Sequence, residues 1–391
     1  MKKTVVVYTG NPIEMPPLLT LLRLLIAIGE DVSFVGIDWW DYYDAIASTG
    51  AKCYSVHVTN WSISFWRHPV KRLVRHLLRL KHLNDYRQSL WSAIDSAREG
   101  DENFVLWSCS MYTAALLGDR ALELGRRHVH TFFELGDEQG SGLSGFTVSK
   151  FYASATIVEC EINRAEIIKV LKNLPRRPFV MPNCQYGLPR SRNLPVRNGK
   201  ASAIIKDWHN RFVFLYQGGF VSDRAGIVDV LDWLCDEFKD DVIAIMLYKS
   251  ELNFEKLRKH NNLWIVPYVP APFHLDITSH ASVGVAYYTS GTTIYSPLNA
   301  LYCAPNKIYE YAAFGLPTLG NDVPGLRYTV GASGAGECFS SLSKEDVVAA
   351  ARKIKSQYEA YSKRATKFFD DTDMVAKTKE VIDFARCKET L

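Results

Sequence analysis

The chain lacks most of the features that would point to a redox cofactor, a structural metal or a nucleic acid. Its eight cysteines (Cys53, Cys109, Cys160, Cys184, Cys235, Cys303, Cys338 and Cys387) are scattered. None has Cys-x-x-Cys spacing, and no His/Cys group is spaced like a zinc site. That leaves free thiols in a reducing compartment. A Gly-x-Gly-x-x-Gly pattern is missing, which argues against a dinucleotide. The net charge is only +4 over 391 residues, so no nucleic-acid partner is called for. No run is long and apolar enough to span a bilayer: Leu18 to Ile28 comes nearest and is broken by Arg23. Met1-Lys2-Lys3-Thr4-Val5-Val6-Val7 enters a strand at once, without the layout of a signal peptide, so a cytoplasmic protein is expected. No internal repeat or low-complexity segment stands out.

What is present is apolar residue content of 47%, enough for two sizeable cores at this length. Thr4–Tyr8 and Asp31–Ile37 read as buried parallel strands around a helix from about Pro16 to Gly29. This is the βαβ opening of a doubly wound sheet, with Gly10 at the carboxyl end of the first strand, where such sheets bind ligands. Further strands are expected at Phe104–Ser108 and His128–Leu135, with a helix over Thr113–Gly125 between them. Composition marks 184–207 as a linker, rich in Pro, Arg, Asn and Gly. A second α/β domain follows, with strands at Arg211–Tyr216, Asp241–Leu247, Asn262–Val266 and Ala281–Tyr287. Helices are expected over Glu345–Tyr358 and Asp373–Lys388.

The most informative stretch is Pro305-Asn306-Lys307-Ile308-Tyr309-Glu310-Tyr311-Ala312-Ala313-Phe314-Gly315-Leu316-Pro317. Pro305 suits a helix start, and Gly315-Leu316-Pro317 ends the helix and turns the chain into a strand. A helix N-terminus attracts phosphate, and Lys307 adds a full charge there. Glu310 lies one turn on, on the same face, where a carboxylate can accept ribose hydroxyls. The plain alternative is an ordinary buried helix of an α/β domain, with Lys307 and Glu310 as a solvated ion pair.

This stretch resembles the retaining glycosyltransferases of the GT-B fold, family 4 in particular, whose helix reads Pro-Asn/Ser-Lys-x-x-Glu-Tyr-x-x-x-Gly-x-Pro. The resemblance implies two doubly wound parallel-sheet, Rossmann-like domains facing a central cleft. The boundaries it implies are an acceptor-side domain over 1–183, the linker, and a nucleotide-sugar domain over 208–372, with the 373–391 helix packing back on the first. The implied activity is transfer of a sugar from a nucleotide-diphosphate sugar to a saccharide or lipid-linked acceptor in cell-surface polysaccharide synthesis. The nucleotide-sugar is a substrate, and neither a cofactor nor a metal is implied. Departure of a nucleoside diphosphate builds charge on the β-phosphate, which preorganised donors must meet.

The roles follow from the same resemblance. Arg224, Lys307 and Glu310 are the catalytic set, with Arg224 and Lys307 on the diphosphate and Glu310 on the ribose. Gly218 and Gly219 allow close backbone approach to a phosphate. Tyr268, in the Pro267-Tyr268-Val269-Pro270 turn, lies by the base, and Asn306 at the helix start. On the acceptor side stand Gly10, Glu134 and Asp137, the last two ahead of a Gly/Ser-rich loop. The chain departs from the pattern in places. Tyr302 stands where the first Glu of the fuller motif would fall, Gly219 stands where a basic residue is usual, and no His follows His130 at the end of the His128–Leu135 strand.

One segment stands apart. Trp61, Phe65 and Trp66 lead into a helix carrying Lys71, Arg72, Arg75, Arg79, Lys81 and Arg87 between Val70, Leu73, Val74, Leu77 and Leu78. A basic amphipathic helix of this kind, over 61–91, either lies on anionic lipid at the inner face of the plasma membrane or turns its apolar stripe to its own core. Two other activities remain: a sugar-nucleotide epimerase of the same fold, using Glu134 and Asp137 as acid and base, and a non-catalytic nucleotide-sugar-binding subunit of a membrane assembly complex.

Overall fold

The computed structural model describes residues 2–39, 41–57, 72–220, 226–250, 255–289 and 298–387. The chain divides into two compact units. One runs up to Pro182 and takes back the chain from Met374; the other is Asn183–Asp373.

Among the described residues, the first unit is built on a seven-stranded parallel sheet. Its strands are β1 (Lys3–Val7), β2 (Asp31–Ile37), β3 (Lys52–Val56), β4 (Val105–Cys109), β5 (His128–Phe132), β6 (Thr156–Glu159) and β7 (Phe179–Val180). The order is β3-β2-β1-β4-β5-β6-β7, so chain direction across the sheet reverses between β1 and β4. Val5, Val6, Val7, Phe34 and Val35 are fully buried, as expected of strands covered on both faces. The expected Thr113–Gly125 helix is interrupted. It runs over Met111–Leu117 and gives way to a tighter helix over Asp119–Arg127. The Asp119 carboxylate accepts from the Thr147 backbone N–H and hydroxyl, both at 2.6 Å, which draws the chain out of its helical path. β5 stops at Phe132, short of Leu135.

Residues 58–71 of the basic segment lie outside the described residues. From Leu83 onward the helix Arg72–Ala97 turns inward, with Leu90, Trp91, Ile94 and Ala97 packed against Val5, Val7, Val35 and Ile37. Arg87 is not part of an exposed basic face: its guanidinium donates to the carbonyls of Ala115 at 2.8 Å and Leu116 at 3.1 Å. The helix Met374–Arg386 buries Val381, Ile382 and Ala385, and Arg386 pairs with Glu30 and donates to the Lys3 carbonyl at 3.0 Å.

The second unit holds a six-stranded parallel sheet among the described residues. Its strands are β8 (Val213–Phe220), β9 (Val242–Ser250), β10 (Leu263–Val266), β11 (Val283–Ala286), β12 (Thr318–Asn321) and β13 (Gly336–Phe339). The order β10-β9-β8-β11-β12-β13 reverses between β8 and β11. β8 alternates faces as a strand must. Phe214 and Tyr216 pack with Ile227, Leu231 and Leu234 of the helix Ile227–Glu237, while Val213 and Leu215 pack with Tyr311 and Phe314.

The 184–207 stretch, read as a linker from its composition, belongs to this unit. Leu188, Leu194 and Val196 pack against the second core, and Gly199–Lys206 is a helix capped by Asn198, which accepts from the Ala201 N–H at 3.0 Å. Arg197 forms a forked pair with Asp276 at 2.8 and 2.9 Å. Arg190, Arg192, Arg197 and Asn198, among the residues that suggested a linker, are anchors with defined partners.

Candidate functional site

The helix Asn306–Ala313 begins one residue after Pro305, whose extended backbone (φ −77°, ψ 135°) makes it the cap. The helix is seated by Tyr311, a fully buried side chain whose ring lies over Gly284 of β11. A Cβ at 284 would overlap that ring, so glycine there sets how close the helix comes to the sheet. This places Lys307 and Glu310 at the carboxyl end of β8, beside the reversal of strand order, where open α/β sheets bind ligands.

Both side chains act on the same residue, Gln217. The Lys307 ammonium donates to the Gln217 carbonyl at 2.8 Å and lies over the rings of Tyr216 and Tyr288, at 5.0 and 5.6 Å. Glu310 is 5% exposed, so it is not half of a solvated ion pair. Its Oε2 accepts from the Gln217 side-chain amide at 2.6 Å, and its Oε1 from the Gln185 amide at 2.6 Å. His274 Nε2 lies 3.2 Å from Oε2. The oxygens expected to receive ribose hydroxyls therefore already accept from amides, leaving a carboxylate with part of its lone-pair capacity. The Gln217 carbonyl oxygen of the side chain, Oε1, accepts from the Thr278 hydroxyl at 2.7 Å.

Gly218 follows at φ +140°, a conformation that side chains rarely adopt, and the β8–β9 register slips by one residue between Gly218 and Phe220. Gly219 lies within that bulge. Arg224 lies outside the described residues. Asn306 is the first residue of its helix and half-buried; Tyr268 is 45% exposed in the turn after β10. The Asn321 side chain ties the ends of β11 and β12: it accepts from the Tyr288 N–H at 2.9 Å and donates to the Tyr288 carbonyl at 2.6 Å. Gln185, Gln217, His274, Thr278 and Asn321 were thus not marked as site residues by sequence, although a Gln before paired glycines was a visible signal.

In the first unit, Gly10 follows β1, and the neighbouring Thr9 is tied by its N–H and hydroxyl to the Thr113 hydroxyl, at 3.2 and 2.9 Å. Asp137 is buried. Its Oδ2 accepts from the Met111 N–H at 3.0 Å and its Oδ1 from the Gln139 N–H at 3.2 Å. Those bonds fasten the loop after β5 to the start of the helix Met111–Leu117 and use part of the carboxylate's capacity to accept from an acceptor hydroxyl. Glu134 is more open, at 41% side-chain exposure, with a carboxylate oxygen 3.9 Å from Arg164 Nη2.

Behind Glu134 lies a pair that the sequence did not announce. Glu159, the last residue of β6, is fully buried, with Oε1 3.5 Å from Arg164 Nε. Burial pushes its carboxyl up to about 7, and the Arg164 guanidinium pulls it back. Arg164, 2% exposed, donates to the Phe133 carbonyl at 3.3 Å. The only sequence signal was a carboxylate closing an apolar strand. Deeper in the sheet, Ser108 lies 2.8 Å from both His128 Nε2 and His130 Nδ1; burial lowers both imidazoles, that of His128 to about 3. Among the described residues no group of three or more His, Cys, Asp or Glu side chains is placed to hold a metal ion, and no helix is long and apolar enough to cross a membrane.

No protein-family model and no curated protein sequence matches the chain. Solved structures do match over nearly its whole length. A glycosyltransferase from Rickettsia africae ESF-5 is 11% identical with a TM-score of 0.61, covering 99% of each chain. The E. coli trehalose-6-phosphate protein bound with UDP-2-fluoro glucose is 11% identical with a TM-score of 0.64, covering 99% of this chain and 100% of its own. A protein described as a possible UDP-N-acetylglucosamine 2-epimerase from Listeria monocytogenes is 11% identical with a TM-score of 0.54, covering 97% and 94%. Two parallel sheets, each reversing strand order at its centre, with helices on their faces, are the architecture of these neighbours, and this chain has the GT-B fold.

Proposed function

We propose that the protein is a retaining glycosyltransferase that moves a sugar from a nucleoside-diphosphate sugar to a saccharide or lipid-linked acceptor in cell-surface polysaccharide synthesis. The observation that carries this is the convergence of Lys307 and Glu310 on Gln217, immediately ahead of Gly218, where the strand order of the second unit reverses. The GT-B fold and the Pro305–Pro317 motif support it.

In this reading the diphosphate lies against the Gly218–Gly219 backbone and the start of the helix Asn306–Ala313, with Lys307 and Arg224 supplying charge. Asn306 and Tyr268 border the donor, and Glu310 lies by the ribose. As the glycosidic bond breaks, the β-phosphate gains negative charge that these donors are already oriented to meet. The departing phosphate oxygen takes the acceptor hydroxyl's proton, so no side-chain base and no metal is required. The acceptor approaches the carboxyl ends of the first unit's strands, near Gly10 and Glu134. The protein works at the cytoplasmic face of the membrane, with the amino-terminal part of 61–91 against the lipid.

The epimerase alternative is the weaker one. It needs an acid and a base at those strand ends, and both oxygens of Asp137 accept backbone N–H bonds. The test is a panel of nucleotides and nucleotide-sugars read first by thermal shift, then by turnover with EDTA present. A selective shift with one nucleoside diphosphate and its sugar is expected. Release of that nucleoside diphosphate, with the product's anomeric configuration retained by NMR, completes the expectation. Interconversion of the intact nucleotide-sugar would establish the epimerase, and binding without any turnover the non-catalytic subunit. The absence of a shift with every nucleotide at millimolar concentration would overturn the proposal.

A further inference from the structure

We infer that Gln217 is the positioning residue of the diphosphate site: held by Glu310 and Lys307, it fixes the end of β8 so that the Gly218–Gly219 backbone meets the phosphates in one orientation. This rests on the reading of the second unit as a nucleoside-diphosphate site.

Gln217 is 5% exposed on a strand whose other inward residues, Phe214, Leu215 and Tyr216, are apolar or aromatic. A buried amide is costly unless each of its polar groups is paired. Here the main-chain carbonyl and both ends of the side-chain amide have partners, which come from separate parts of the chain. The main-chain carbonyl accepts from Lys307 at 2.8 Å, the side-chain NH2 donates to Glu310 at 2.6 Å, and the side-chain oxygen accepts from Thr278 at 2.7 Å. Glu310 is held in turn by Gln185 at 2.6 Å and faces His274 Nε2 at 3.2 Å.

These partners admit a single orientation of the amide. A carboxylate only accepts, so the NH2 must face Glu310 and the oxygen Thr278. The side chain and the carbonyl of Gln217 are thereby both fixed, directly before the residue at φ +140° and the register slip. A glycine pair has the widest backbone freedom of any sequence, so something must restrict it if its N–H groups are to meet a phosphate preorganised. Gln217 is the side chain placed to do so. It does not touch the ligand; it acts through the backbone that follows.

The experiment is calorimetric titration of UDP, GDP, ADP and inorganic pyrophosphate, with the nucleoside of the preferred diphosphate as control, into the full-length protein, the Gln217→Met variant and the Thr278→Val variant, with melting temperatures of each. Thr278 is fully buried, and its replacement removes one hydroxyl at nearly constant volume. Both variants are expected to weaken the preferred nucleoside diphosphate about tenfold and pyrophosphate by a similar factor, because the disturbed element faces the phosphates. The free nucleoside is expected to bind each variant as it binds the wild type. Should Gln217→Met fail to fold, Thr278→Val alone decides. Lower melting temperature with diphosphate affinity held within about twofold would reduce Gln217 to a packing role and overturn the inference. A wild type that binds none of the four ligands would remove the site itself, and the inference with it.

Discussion

Glu159 sits in an environment far from the one its chemistry prefers. A fully buried carboxylate facing a buried guanidinium at 3.5 Å gains less than a well-formed pair, and burial raises its pKa from 4.5 to about 7. The folded state therefore holds the proton more tightly than the unfolded chain. Stability is full below pH about 4.5, falls as pH rises from there to about 7, and stays reduced above. The loss is on the order of 3 kcal/mol at most. Glu159→Gln, which mimics the protonated acid, is expected to be more stable than wild type at pH 8 by up to that amount and equal to it at pH 4. Urea unfolding at the two pH values measures this, and a variant less stable than wild type at pH 8 would show that the ionised pair is net favourable.

At the scale of the element, the helix Asn306–Ala313 joins two jobs that separate on mutation. Lys307→Ala and Glu310→Ala are each expected to weaken donor binding by about 1–3 kcal/mol. They should differ in the free protein. Glu310→Ala strands the buried amide of Gln217 and frees the half-buried amide of Gln185, costing about 2 kcal/mol of stability. Lys307, half-buried at the helix start, should lower the melting temperature less. Nucleotide titration beside thermal melts separates the effects, and unchanged affinity in both variants would remove the two residues from the donor site. The outline of this helix was legible in the sequence, since Pro305, Gly315 and Pro317 carry local backbone constraints. Its partners were not. Gln185 is 125 residues from Glu310 and Gln217 is 93, so no periodicity or capping rule connects them.

At the scale of the whole molecule the open question is what the protein lies against. The described part of the helix Arg72–Ala97 buries its apolar residues in its own core, and Arg87 is spent on carbonyls. The proposed lipid contact falls to the amino-terminal part of the segment, with Arg67, Lys71, Arg72, Arg75 and Arg79. The full-length protein is expected to co-sediment with phosphatidylglycerol vesicles at low salt, to lose that binding at high salt, and to ignore phosphatidylcholine vesicles. Equal binding to both would argue against an electrostatic surface. The same scale explains the misread 184–207 stretch. Pro, Arg and Asn signal irregular backbone, but whether such backbone is a free linker or an anchored one depends on partners such as Asp276 and Ser279, which the Arg197 and Arg192 side chains reach across the second unit.

By itself the sequence determined the two-unit α/β architecture, most strand positions and the Pro305–Pro317 helix. Burial on both faces writes continuous apolar runs, and helix ends write proline and glycine, both local signals. Only the tertiary structure decided what the marked residues do. It turned Asp137 into a fastening for a neighbouring helix, buried Glu159 against Arg164, and gathered Lys307, Glu310, Thr278 and Gln185 around Gln217. A polar side chain's role is set by which donors and acceptors meet it, and those meet only when the sheet brings distant segments together.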